Sequence, residues 1–366
     1  MATPARVVIL PKDTSTLRVE EVTIPDPGPH QVLVRQHASG ICHSQLHEMH
    51  APNRPGPVSL GHESTGIVLK IGPEVTHVAE GDTVFVTWVP RNPKGTERPA
   101  WRASIECSEG VAQSGFVFTW ADHTLADEQY VVKVDPGVRM DVTAIIGCAV
   151  MTGAGAVMNT ANVQAGQSVA IFGVGGVGLS AVVAARMAGA DPIIAVDLDD
   201  EKLAFAKKFG ATETVNASDQ DPIAAIRALT GGKPGYTLYG TPVAGADFTF
   251  DCIGIKKTMQ QIVPACRDGH FGSHDGGTAV LVGVPLEFPE IDARDLLLNE
   301  KHFIGSIGGS CSPDRDFGTF IDWFEKGELD LDALVTARYS IDQINEATAA
   351  LDAGEITGRA ILEFEY

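Results

Sequence analysis

The sequence feature that most limits how this chain can fold is a glycine turn between two unlike apolar runs. Val169–Phe172 reads as a short strand and Leu179–Ala188 as an Ala-rich helix, and between them stands Gly173-Val174-Gly175-Gly176-Val177-Gly178. A lone GxGxxG pattern says little; one that joins a strand to a helix says more. Glycine there permits the tight turn and lets backbone approach a pyrophosphate. The helix then opens with free N–H groups and the positive end of its dipole, a seat for phosphate. Asp197 closes the next strand-like run, Ile193–Val196, at the spacing of an acid that accepts from adenosine ribose hydroxyls. Its charge repels a 2′-phosphate, which predicts NAD rather than NADP. The bland alternative is a tight glycine turn near an ordinary strand-end aspartate.

The surroundings extend this reading. A helix-like stretch, Asp200–Phe209, and β runs at Phe248–Phe250 and Thr278–Val282 continue an alternation that predicts a parallel sheet covered by helices. Up to about Pro136 the texture differs. Short β runs (Val32–Val34, Gly66–Leu69, Thr83–Val86) are broken by Gly, Pro and Asp, which predicts an irregular, mostly antiparallel domain. Pro90–Gln113 is polar and aperiodic and reads as a long surface lobe. An apolar helical segment runs from Val142 through Gly147-Cys148 to Asn162. Two helical stretches and a β run, Ala360–Phe364, follow Ser312.

A length of 366 residues suits two domains, and 44% hydrophobic with 20% charged residues suits a globular chain. The net charge of -20 repels phosphate backbones and anionic lipid, so neither nucleic acid nor a membrane is expected as a partner. No long apolar run follows Val7–Leu10, which predicts no signal peptide, no spanning helix and a cytoplasmic chain. The six cysteines are then expected to be reduced, buried or metal-bound.

Three short segments carry potential metal chemistry: Gly40-Ile41-Cys42-His43-Ser44-Gln45-Leu46-His47, Gly61-His62-Glu63, and Gly147-Cys148. Two thiolates and one imidazole make a zinc set that leaves a fourth position for water or substrate. Singly the segments are weak, and on spacing alone Cys148 reads as an ordinary buried cysteine.

Together, the Gly61-His62-Glu63 segment, the Gly147-Cys148 step, the Gly173–Gly178 turn with Asp197, Val282-Gly283-Val284-Pro285 and Ile344-Asn345-Glu346-Ala347 resemble, in this order and over nearly the whole chain, the zinc-containing alcohol dehydrogenases of the medium-chain dehydrogenase/reductase superfamily. The resemblance implies an α/β chain. A GroES-like, mostly-β catalytic domain is expected over residues 1–148, completed by 310–366, with a Rossmann doubly wound parallel-sheet NAD-binding domain over 149–309. It implies that Cys42, His62 and Cys148 bind catalytic zinc, with Glu63 beside the metal as a transient ligand. It places Ser44 on the alcohol oxygen and His47 at the outer end of a proton relay through the nicotinamide ribose. Lys202 assists Asp197, and His43 and Arg359 face the pyrophosphate. Gly173, Gly175, Gly176, Val177, Gly178, Val282 and Val284 line the cofactor, and Trp88 is an aromatic wall of the substrate pocket. Taken alone, Lys202 and Arg359 read as solvated charges and Trp88 as core packing.

The implied reaction is reversible hydride transfer between NAD and a small primary or secondary alcohol, aromatic and terpenoid alcohols included, giving an aldehyde or ketone. A homodimer or homotetramer is expected, with the runs at Thr278–Val284 and His302–Ile307 pairing across a two-fold axis. The alternatives are a zinc polyol dehydrogenase with a wetter pocket, a zinc-free quinone or enone reductase, and a non-catalytic NAD-binding sensor.

Three departures from that family stand out. Longer members hold a structural zinc with four cysteines in a surface lobe; the stretch Pro90–Gln113 has only Cys107, which predicts one zinc per chain and no structural zinc. Gln45 stands where the family has an aspartate on the zinc-binding histidine. A glutamine oxygen can accept that hydrogen bond but brings no charge, which predicts a somewhat more electrophilic zinc unless another acid such as Glu63 compensates. Lys233–Gly245 looks like an insertion and has no functional reading.

Overall fold

The computed structural model describes residues 2–93, 98–231 and 234–365. The chain divides into two compact units, Met1–Ala149 with Ser312–Tyr366, and Val150–Cys311.

The first unit is built on the strand Gln31–Ile41, the spine of a seven-stranded sheet. One of its edges pairs antiparallel with Ser64–Ile71. Its other edge pairs with His123–Asp127 along the first half and with Arg359–Glu363 along the second. The C-terminal strand therefore lies against the segment that leads into Cys42, in the register Ala360↔Ile41 and Ile361↔Gly40. The sheet continues outward through Thr83–Val86 and Val131–Lys133 on one side and Val335–Ser340 on the other. A second, five-stranded sheet contains Thr3–Leu10, whose Val7, Val8, Ile9 and Leu10 are wholly buried. Burial on both faces explains why that strand shows no alternation. The helix His43–His50 gives Leu46 and Met49 to a core shared with Ile344, Ala347 and Leu351 of the C-terminal helix Ile344–Asp352.

Pro90–Gln113 differs from the expected polar lobe. Its later part is an antiparallel hairpin, Ser104–Cys107 with Gly110–Gln113, on the edge of the five-stranded sheet. Ala103, Ile105 and Ala112 pack into the core with Ile9 and Leu33. Four-residue strands are too short to show a period. Arg98 forks onto Asp127 at 2.7 and 3.0 Å. Residues 94–97 of this stretch lie outside the described residues.

The second unit holds six strands in the order Glu213–Asn216, Ile193–Asp197, Val169–Phe172, Phe248–Asp251, Thr278–Leu281 and His302–Gly305, every pairing parallel. Val169–Phe172 at its centre is short, apolar and buried throughout, as strands covered on both faces are. The strand order reverses beside Val169–Phe172, where ligands of such sheets bind at the carboxyl ends of the strands. The segment Val142–Asn162 is not one helix. A 3-10 turn, Val142–Gly147, an α-helix, Ala149–Gly155, and a π turn, Ala156–Thr160, follow one another, with Cys148 at the first break.

The described part of the insertion closes on itself. The Thr237 N–H donates to the Thr241 carbonyl at 2.9 Å, and Val243 anchors the loop in the core. Lys233 lies outside the described residues. No helix among the described residues is long and apolar enough to cross a membrane.

Candidate active site

Cys42 ends the spine strand and caps the helix His43–His50. His62 and Glu63 lead directly into the strand Ser64–Ile71, which pairs with that spine. Cys148 arrives at the break after the 3-10 turn. The three ligand atoms lie within 4.8 Å of one another, the one such grouping among the described residues. His62 Nε2 is 3.2 Å from Cys148 Sγ. Two sulfurs and an imidazole nitrogen so closely gathered fit zinc by donor type and by number.

Electrostatics prepare the cluster. The Cys42 thiol is held well below its ordinary value, first by the hydrogen bond from Cys148 and then, against burial, by Arg359 and His62. Cys148 is correspondingly pushed well above its own by the same hydrogen bond and by burial. The pocket thus favours the thiolate of Cys42 over that of Cys148, and a bound cation would favour both. Burial alone would lower His62, but the hydrogen bond and charge of Cys42 raise it overall.

Glu63 is completely buried and ion-pairs with Arg359, itself 5% exposed. Its other oxygen accepts from the Ala149 N–H at 3.3 Å. Burial raises its pKa to about 6, with Arg359 opposing that rise. Gly40 makes the room: a Cβ there would lie 2.3 Å from Glu63 Oε1.

Beyond the cluster, Ser44 Oγ and His47 Nδ1 are buried without a hydrogen-bond partner among the described residues. Both sit on the helix that begins after Cys42. Trp88 stands edge-on to His62, ring centroids 6.4 Å apart. Phe116 continues the wall at 6.3 Å from Trp88, and Tyr130 lies 5.9 Å beyond Phe116.

In the second unit, the strand Val169–Phe172 runs into Gly173, whose φ of +84° suits glycine. A Cβ on Gly178 would lie 1.9 Å from the Gly173 carbonyl, so only glycine lets helix and turn meet. Space beside Gly175 is open, and the helix Gly176–Met187 has no side-chain cap. Among the described residues, no side chain caps its first N–H groups, the end of a helix that favours an anion. Asp197 ends its strand and is fixed by the N–H groups of Val174, Leu198 and Asp199.

The family model for the alcohol dehydrogenase GroES-like domain matches residues 28–136, and that for the zinc-binding dehydrogenase matches residues 176–326. The class-3 alcohol dehydrogenase of Cereibacter sphaeroides is 32% identical over 364 residues, covering 93% of this chain and 94% of that one. The chain belongs to the zinc-containing alcohol dehydrogenases of the medium-chain dehydrogenase/reductase superfamily. An alcohol dehydrogenase zinc-binding domain protein from Burkholderia ambifaria superposes with a TM-score of 0.85 at 29% identity, with all of both chains covered. Benzyl alcohol dehydrogenase from Acinetobacter calcoaceticus superposes with a TM-score of 0.83 at 29% identity, covering 99% of this chain and 100% of that one. As a member of this family, the protein is an NAD-linked zinc oxidoreductase acting on CH–OH groups of small alcohols.

Within this dehydrogenase, the structure gathers Cys42, His62, Cys148 and Glu63 at one point and sets Ser44, His47 and Trp88 close by in sequence or contact. His43 is exposed at the start of its helix. Lys202 is half-buried in the first turn of Asp200–Phe209. Val282 and Val284 follow the carboxyl end of Thr278–Leu281, with Val284 exposed. Arg359, expected at the pyrophosphate, ion-pairs with Glu63 through Nη2, while its Nε is buried without a partner among the described residues. Sequence reasoning missed that pairing, the need for glycine at position 40, and the part of Phe116 in the aromatic wall. The register of the last strand beside Gly40-Ile41 would have revealed the first two.

Proposed function

We propose that this alcohol dehydrogenase acts on alcohols bearing an aromatic or bulky apolar group, with NAD as hydride acceptor, and reduces the matching aldehydes and ketones. The observation that carries the substrate class is the wall of Trp88 and Phe116 beside His62. Such a wall favours flat apolar groups and offers a polyol little to hydrogen-bond. The likeness to a benzyl alcohol dehydrogenase supports the same reading.

Cys42, His62 and Cys148 would hold zinc, which would supply Lewis acidity to lower the pKa of an alcohol hydroxyl. Ser44 takes up the alcohol proton: its hydroxyl accepts and donates through one oxygen and has no other partner. His47, whose Nδ1 is equally unpartnered, passes the proton outward. Glu63, held by Arg359, keeps a carboxylate beside the metal ligands. The uncapped helix after the glycine turn binds the pyrophosphate, Asp197 with Lys202 the adenosine ribose. The strand His302–Gly305 lies at the edge of its sheet and pairs two copies into a homodimer, or a tetramer built on it, in the cytoplasm.

The test is a panel of alcohols with NAD. Benzyl or cinnamyl alcohol should exceed ethanol in kcat/KM by at least about tenfold, the discrimination one apolar group can give. Trp88→Ala should erase that advantage while sparing ethanol. A preference for sorbitol over benzyl alcohol would reverse the assignment.

A further inference from the structure

Gln45 is buried, 1% exposed, and its side-chain amide is committed at both ends. The oxygen accepts from the Cys42 N–H at 2.9 Å. The nitrogen faces Nδ1 of His62. This orientation is forced. A backbone N–H can only donate, so only the amide oxygen can meet it, and the NH₂ group is left for the ring.

An NH₂ group can only donate, so Nδ1 of His62 must accept. A neutral imidazole that accepts at Nδ1 carries its hydrogen on Nε2. That is the nitrogen facing Cys148 Sγ, within the ligand cluster. A histidine bound to metal through Nε2 carries its hydrogen on Nδ1 instead, and there it meets the two hydrogens of the Gln45 amide. A doubly protonated ring meets them too. The arrangement that best satisfies Gln45 is thus the one in which His62 cannot ligate.

We infer that Gln45 is a positioning residue that opposes metal loading: zinc binding through Nε2 requires the Gln45 amide to turn its NH₂ away from His62, so that the one oxygen must be shared between His62 and the Cys42 N–H or give up the latter. Loading at one ligand, His62, then competes with the hydrogen bond that fixes the backbone of another, Cys42. A carboxylate of the same length has no such conflict, because each of its oxygens can accept from one of the two N–H groups. Glutamine at this place makes the site looser for metal and more readily emptied.

The inference rests on the zinc site, and its tests read metal and tautomer rather than turnover. The first is ¹⁵N–¹H correlation of histidine-labelled, metal-free protein at alkaline pH. His62 should be the Nε2–H tautomer in wild type and the Nδ1–H tautomer in Gln45→Glu. The second is zinc affinity by chelator competition. Gln45→Glu should bind zinc about 10–100-fold more tightly, the range seen when partners of metal-bound histidines change. Gln45→Met should stay within a few-fold of wild type, since it removes the conflict and the help together. An Nδ1–H tautomer in the metal-free wild type overturns the proposal even if neither variant folds. Equal zinc affinity in wild type and Gln45→Glu also overturns it. If wild type and Gln45→Glu both fail to hold zinc, the assignment of the metal site itself falls.

Discussion

Replacing Gly40 by alanine adds one methyl group and should damage the metal centre from behind. Gly40 is not among the residues with positive φ, so its backbone accepts alanine, and the stiffer unfolded chain favours the variant by about 0.4–1 kcal/mol. Sterics oppose this. The new Cβ would lie 2.3, 2.4 and 2.7 Å from Oε1, Cδ and Cγ of Glu63. An exposed glutamate would swing aside, but this one is completely buried and held by Arg359 and the Ala149 N–H. If Glu63 pivots and keeps its partner, the cost is that of overpacking, about 1–3 kcal/mol. If it leaves Arg359, a buried charge loses its counterion at about 3–5 kcal/mol. The two costs overlap, because leaving relieves the clash, so the net expectation is a loss of about 2–4 kcal/mol.

The decisive comparison is a double-mutant cycle with Glu63→Ala. The three nearest atoms met by the new Cβ all belong to Glu63. In the Glu63→Ala background, Gly40→Ala should therefore be neutral or slightly stabilising, a coupling of at least about 2 kcal/mol. Urea unfolding of metal-free protein followed by tryptophan fluorescence is the assay. All four tryptophans, Trp88, Trp101, Trp120 and Trp323, belong to the first unit, so the signal reports that unit alone. Equal costs in both backgrounds would show that Gly40 serves the strand rather than Glu63.

Elemental analysis should find close to one zinc per chain, lost in Cys148→Ala, and two tightly held zincs would mean that the stretch around Cys107 binds metal after all. Asp197→Ala should narrow a clear kinetic preference for NAD over NADP, because ribose acceptor and repulsive charge go together; no preference in the wild type would free Asp197 of that role. His47→Gln should slow alcohol oxidation most near and below neutral pH and respond to added buffer base, whereas identical pH–rate profiles would take His47 out of the relay. Burial pushes the Asp141 carboxyl up, but Arg139 and the Val142 N–H outweigh it and hold it at about 2, below the ordinary 3.8. A depressed carboxylate stabilises above its unfolded value and loses that contribution as pH falls from about 4 to 2. The pair is half-exposed, so screening leaves about 1 kcal/mol of it. Unfolding midpoints of Asp141→Asn should lie below wild type at pH 7 and converge with it near pH 2.

How much of this was legible in the sequence depends on how local each cause is. The glycine turn, its flanking strand and helix, and Asp197 lie within 30 residues of one another, and each obeys its own local rule. The hairpin Ser104–Gln113 was not legible, because four-residue strands give an alternation too brief to separate from a polar loop. Cys148 stands 86 residues from His62, and nothing in its own neighbourhood marks it as a ligand. Arg359 stands 296 residues from Glu63. Its partner follows from a strand register, which a single sequence does not display. The Glu63 neighbourhood also explains Gly40, whose ordinary backbone conformation gives no reason for glycine until the carboxylate is in place.

Charge balance joins these distant pieces. Two thiolates offset a divalent cation, and Arg359 offsets Glu63, so a loaded centre carries no net buried charge. Without the cation the two thiols diverge: their mutual hydrogen bond, with Arg359 and His62, holds Cys42 down, while the same bond and burial push Cys148 up. Arg359 matters in both states, and it arrives only when the last strand pairs with the spine in the register Ala360↔Ile41. A slip of one residue would turn its side chain to the opposite face of the sheet and leave Glu63 buried alone. The metal centre is therefore finished by the end of the chain, although its three ligands all lie before residue 149. Pairing of strands so far apart in sequence comes at a high loop-closure cost.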